Sequence, residues 1–104
     1  MKVPLIVVKQ GPFEEFSMGR KTIEYRRYGR MFNERVFCPG RAVRIARSFD
    51  IYRYPVIDAT VTRFEIIACD QAPPQVQRRY PRLSPDALIA LIHLELIEGK
   101  WFRR

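Results

Sequence analysis

Residues 19–26 read Gly-Arg-Lys-Thr-Ile-Glu-Tyr-Arg, which sets an amine, a carboxylate and a guanidinium close together in the chain. Written as a strand over Lys21 to Arg26, the segment puts Thr22, Glu24 and Arg26 on one face and Ile23 and Tyr25 on the other. A carboxylate accepts and a guanidinium donates, so Glu24 and Arg26 can together read the edge of a base or an amide. Lys21, with Arg20 and the upstream Lys9, can contact phosphate or handle a proton. Arg27 and Tyr28 follow directly and add a guanidinium and a ring that can stack. Lys9, Arg20, Lys21, Thr22, Glu24, Arg26, Arg27 and Tyr28 are therefore candidate ligand- or RNA-binding residues, with Lys21 and Glu24 the candidate catalytic groups. The competing reading is structural: Glu24 and Arg26 pair with each other or with neighbouring strands.

Rings and guanidiniums are interleaved elsewhere too. Tyr25-Arg26-Arg27-Tyr28-Gly29-Arg30, Tyr52-Arg53-Tyr54, Arg78-Arg79-Tyr80-Pro81-Arg82 and Trp101-Phe102-Arg103-Arg104 all show the pattern. Stacking rings beside phosphate-binding arginines suit single-stranded RNA. Taken singly, each reads better as a strand with Tyr inward and Arg in water, and it is the four together in one small domain that shift the balance modestly toward a polyanion surface. His93 is expected on the polar face of the last strand as a hydrogen-bonded or solvated residue. A Cys–His nucleophile pair would require Cys38 or Cys69 to meet it in space. With a single histidine and no Cys-x-x-Cys, no metal site is expected, and no cofactor.

Charge narrows the partner class. The chain carries 19 Lys and Arg against 11 Asp and Glu, a formal net charge of +8 and a pI near 10.1. Fifteen of those cations are Arg, whose planar fork grips phosphate and stacks on bases. Such a balance suits a polyanion. The 104 residues, 47% hydrophobic, fit one domain with one core. No apolar run approaches the roughly 18 residues of a membrane span. The start, Met1 to Val8, is too short in its apolar run for a signal peptide, and Lys9 and Gln10 stand where small residues should be. The expectation is a cytoplasmic protein with free thiols at Cys38 and Cys69. Monomer and homodimer are left equally open.

The elements that would position the candidate residues follow from pattern. Val3 to Lys9 reads as a buried strand. Pro12 to Met18 reads as a short helix, with Glu14 and Glu15 near its positive end and Gly19 terminating it. Arg41 to Arg47 is a strand with Val43 and Ile45 inward, after a Pro39-Gly40 turn. Val56 to Cys69 is a long strand after a Tyr52–Pro55 hairpin loop. Ile57, Ala59 and Val61 keep one phase and Phe64 and Ile66 the other, so a bulge is expected near Thr62-Arg63. Ala72 to Leu83 reads as an exposed loop, and Ser84-Pro85-Asp86 as the cap of a helix reaching Leu91. Ile92 to Leu96 alternates as the closing strand. The sum is an α+β domain, a small mixed β-barrel of five to six strands with one to three short helices.

The order strand, Lys9, short helix, Gly19-Arg20-Lys21-Thr22-Ile23-Glu24-Tyr25-Arg26 resembles the signature of the ASCH family, a Gly-x-Lys-Thr-x-Glu-x-Arg strand. Pro39-Gly40-Arg41-Ala42-Val43 is similar to that family's Pro-Gly-Asp-x-Val strand start. The long strand from Val56 and the closing Ile92-His93-Leu94 fit in order. The resemblance implies a PUA-like barrel spanning residues 1–104, with its cleft between the signature strand and the first helix, and an RNA or nucleotide-like ligand. It also implies an alternative, an enzyme on the same scaffold: a ribonuclease, or an amidohydrolase of modified nucleosides. In the hydrolases Lys21 would match the lysine, but Glu24 stands in place of the nucleophilic threonine. The loop Gln77-Arg78-Arg79-Tyr80 has no acid to match their later glutamate. A third option is a protein-interaction module with a basic surface.

Overall fold

The computed structural model describes residues 3–102, with side chains through Ile97. Five strands form one mixed sheet, curled into a half-barrel: β1 (Leu5–Val7), β2 (Ile23–Arg27), β3 (Ala42–Ala46), β4 (Val56–Ala68) and β5 (Leu88–Phe102). Their order is β1-β3-β4-β5-β2, so the two N-terminal strands are the sheet's two edges. β1 runs parallel to β3, and the other pairings are antiparallel. Two short helices complete the α+β fold, α1 (Gln10–Ser17) and α2 (Pro74–Arg79). Among the described residues no helix is long and apolar enough to cross a membrane.

The core has two parts, one on each face of the sheet. The larger unites Ile6 and Val8, Phe13 and Phe16 of α1, Phe37, Val43, Ile45, Ile57, Val61, Ile92 and Leu94. Phe13 and Phe16 lie one turn apart, and burying each ring contributes about 1.5–3 kcal/mol, which is what docks so short a helix. The smaller part, Cys69, Ala72, Val76, Ile89 and Leu91, lies under α2 with Ile23, Tyr25 and Ile67 against it. Adjacent residues of β5 therefore serve opposite faces: Ile92 the larger core, Leu91 the smaller.

The expected bulge is present. Val61 pairs with Leu94 and Arg63 with His93, leaving Thr62 as the extra residue. Past it Phe64 returns to the larger core, while Ile66 stays 42% exposed and Ile67 packs on the opposite face. A second irregularity falls between Ile57 and Ala59.

Several expectations change. β1 is shorter than Val3 to Lys9, and it is an edge strand with only Ile6 of its three residues buried. Helix α1 starts at Gln10 rather than Pro12. Its first bond runs from the Phe13 N–H to the Lys9 carbonyl, so Pro12 sits where no N–H is needed. Glu14 and Glu15 are consequently mid-helix. Ala72 to Leu83 is not all exposed loop: it holds α2, with Pro74 at the first helical position and Ala72 and Val76 buried. The prolines, gathered at the helix start, gave the segment its loop-like composition. No helix follows Ser84. Its hydroxyl bonds the Asp86 carboxylate, and Leu88 onward is drawn into β5 by pairing with β4 on one side and β2 on the other. The Trp101-Phe102-Arg103-Arg104 side chains lie outside the described residues.

Candidate functional site

Helix α1 ends at Ser17 with Met18 as its C-cap, and Gly19 adopts a left-handed φ of +74° that favours glycine. The Gly19 N–H bonds the Phe16 carbonyl, and the Arg20 and Lys21 N–H groups both bond that of Glu15. This turn brings Lys21 back over α1, its ammonium 5.3 Å from the Phe16 ring centroid, just before β2 begins.

Glu24 is paired in register with Ile92, beside the larger core, and is the one polar or charged residue buried among the described residues, at 1% exposure. An ionised carboxylate there costs several kcal/mol of desolvation unless cations and donors meet it. Arg26 Nε donates to Glu24 Oε2 at 2.5 Å, and Arg26 Nη2 donates to the Val7 carbonyl at 2.5 Å. The guanidinium also lies 4.9 Å from the Phe32 ring centroid. Arg79 Nη2 stands 3.8 Å from the same carboxylate oxygen, reaching from α2 while its Nη1 donates to the Tyr25 carbonyl at 3.4 Å.

The second oxygen differs. Glu24 Oε1 lies 3.5 Å from Lys21 Nζ and accepts no hydrogen bond from a described residue. Glu24 also lines a cavity of about 280 Å³, together with Val8, Lys9, Pro12, Lys21 and Arg79. That is just under the lower end of the range for small-molecule sites, about 300 Å³. Around one carboxylate stand Lys9, Lys21, Arg26 and Arg79, so the neighbourhood is strongly cationic.

The site thus gathers Lys9, Lys21 and Glu24 at one cavity. Arg26 stands behind Glu24 as its support and does not line the opening. Four candidates lie elsewhere. Arg20 is paired with Glu15 at 3.5 Å and is 61% exposed. Thr22 is exposed, and its carbonyl accepts the Leu94 N–H. Arg27 lines a separate groove. Tyr28 donates its hydroxyl to Glu34 at 2.7 Å, which pulls the Glu34 carboxyl below its ordinary range and pushes the Tyr28 phenol up.

Arg79 was missed as a cavity residue. The Arg78-Arg79-Tyr80 cluster marked its neighbourhood, but only the helix of α2 decides which arginine turns toward β2. His93 bonds Glu65, Nε2 to Oε1 at 2.7 Å, while Cys38 is exposed and Cys69 buried, both free thiols. Among the described residues no three His, Cys, Asp or Glu side chains converge as metal ligands would. Comparison of the chain with protein-family models, with curated proteins and with solved structures finds no match.

Proposed function

We propose that this chain is an ASCH-type domain that binds RNA or a nucleotide-like ligand in the cavity above Glu24. The observation that carries the reading is the half-used carboxylate: Oε2 is held by Arg26, whereas Oε1 meets the Lys21 ammonium at 3.5 Å without a hydrogen bond, and Glu24 lines a cavity together with Lys9, Lys21 and Arg79. A base N–H can donate to Oε1 while the three cations meet the phosphate that the base carries. A purely structural ion pair would not need an opening beside it.

The geometry favours binding over amidohydrolysis. Where the resemblance to the hydrolases asks for a nucleophilic threonine there is Glu24, already salt-bridged, and Arg79 reaches the site from the segment where their glutamate would be sought. Ribonuclease activity is the reading favoured next, because Lys21 and Glu24 sit 3.5 Å apart at the cavity and could share proton transfer to and from a 2′-hydroxyl.

The test is a fluorescence-anisotropy titration against short single-stranded and hairpin RNAs at two salt concentrations, with the RNA run on a gel afterwards. Salt-sensitive binding of intact RNA, weakened by Lys21→Ala, supports the binding domain. Shortened RNA that stays whole with Lys21→Ala moves the conclusion to a ribonuclease. No binding at low salt removes RNA as the ligand.

A further inference from the structure

We infer that the ligand is a single-stranded RNA of two or more nucleotides, which runs from the Glu24 cavity past Arg79 into a second groove beyond it. The inference rests on the Glu24 cavity being a nucleotide site.

The second groove has a volume of about 420 Å³ and is lined by Arg27, Arg79, Tyr80, Pro81, Arg82 and Leu83. Arg79 lines both openings, so the two adjoin at that residue. The two differ in chemistry. The first has a carboxylate floor and suits a base edge. The second has an aromatic ring, a proline and a leucine beneath three guanidiniums, and suits a stacked base with phosphates at its rim.

The cations are available for that work. Arg27 and Arg82 are exposed, and neither forms an ion pair with a described residue. Arg79 is 45% exposed and 5.7 Å from the Tyr80 ring centroid, with donors left beyond those used on Glu24 and Tyr25. A mononucleotide in the first cavity would leave Tyr80, Arg27 and Arg82 untouched. A second nucleotide puts its phosphate at Arg79 and its base against Tyr80. Residues from two segments distant in sequence, the end of β2 and the stretch after α2, are thereby used by one strand.

The experiment compares a nucleoside 5′-monophosphate, the matching dinucleotide and the matching tetranucleotide for binding to the full chain. The tetranucleotide is expected to bind about tenfold or more tightly than the monophosphate, as one added stacking contact implies. Arg82→Ala is expected to weaken the tetranucleotide severalfold and leave the monophosphate unchanged. It should also lower the salt slope by about 0.7, the value for one phosphate on a single strand. Tyr80→Leu keeps an apolar side chain in the smaller core but removes the stacking face, and should weaken only the longer ligands. Equal affinity for all lengths, or equal loss at every length in Arg82→Ala, overturns the inference while leaving the Glu24 cavity in place. A chain that binds none of the three loses the cavity reading as well.

Discussion

Arg26 Nη2 of β2 donates to the Val7 carbonyl of β1 at 2.5 Å, joining the two edge strands of the sheet by a side chain. The same guanidinium holds Glu24 through Nε. The half-barrel is therefore tied across its gap, beside the candidate cavity, by one residue with two commitments. Lysine has a single charged nitrogen and no rigid fork, so it cannot reproduce the pair of bonds.

Arg26→Ala should cost about 3 kcal/mol, because it leaves a buried carboxylate with weaker partners and a strand carbonyl without its donor. Arg26→Lys should cost about 1 kcal/mol through loss of one bond. Urea unfolding measures both, and an unchanged midpoint for Arg26→Ala would remove the tie as a stabilising feature.

Glu24→Gln keeps size and removes the charge. Base preference among homopolymeric RNAs should fall about tenfold, since the acceptor geometry at Oε1 is altered. Binding driven by phosphate alone should tighten, because a negative charge leaves a cationic cavity. Preserved base preference in anisotropy titrations would mean that Glu24 does not read the base.

Lys21→Ala should fold like the native chain, as Lys21 is partly exposed and Arg26 still holds Glu24. RNA affinity should drop about three- to tenfold, with the salt slope reduced by about 0.7 if Lys21 meets one phosphate. Circular dichroism checks the first half and titration at two salt concentrations the second.

The Tyr28–Glu34 bond gives a pH dependence with a defined sign. Glu34 titrates below its ordinary 4.5 because Tyr28 donates to it, so its contribution is complete above 4.5 and is lost as pH falls through the lowered value. Tyr28 titrates above its ordinary 10.0 because of the bond to Glu34, so its contribution is complete below 10.0 and is lost as pH rises through the raised value. Glu34→Ala should return the Tyr28 ultraviolet titration toward 10.0, and no movement would show that the bond does not form in solution.

Deleting Thr62 removes the bulge and leaves Val61 opposite Leu94, Arg63 opposite His93 and Phe64 opposite Ile92 in one regular ladder, so Phe64 stays on the face of the larger core. The variant should fold with a melt close to that of the native chain, because what is lost is a local bend and not a core ring. Near-ultraviolet circular dichroism and a thermal melt check this, and a loss of about 3 kcal/mol or more would mean that the half-barrel needs the bend that the bulge supplies.

Much of the scaffold was legible because it is written locally. Alternation in Arg41 to Arg47 placed Val43 and Ile45 inward, and the phase change near Thr62 located the bulge. Gly19 marked the end of α1. What misled was composition without spacing: prolines gathered at one helix start made α2 read as loop. Between Ser84 and Leu91 an apparent cap outweighed the pairing that a central strand obtains from two neighbours.

By itself the sequence determined the cationic balance, the alternation that sets Glu24 and Arg26 on one face, and the proximity of Lys21 to both, since these depend on residue type and on periods of a few residues. Only the tertiary structure decided that Arg26 turns away from the opening to tie β2 to β1, that Lys9 shares a cavity with Lys21, and that Arg79 reaches the same carboxylate. Those relationships join residues up to 55 positions apart, from Glu24 to Arg79, and distances of that kind are fixed by how the sheet curls, which no local period records.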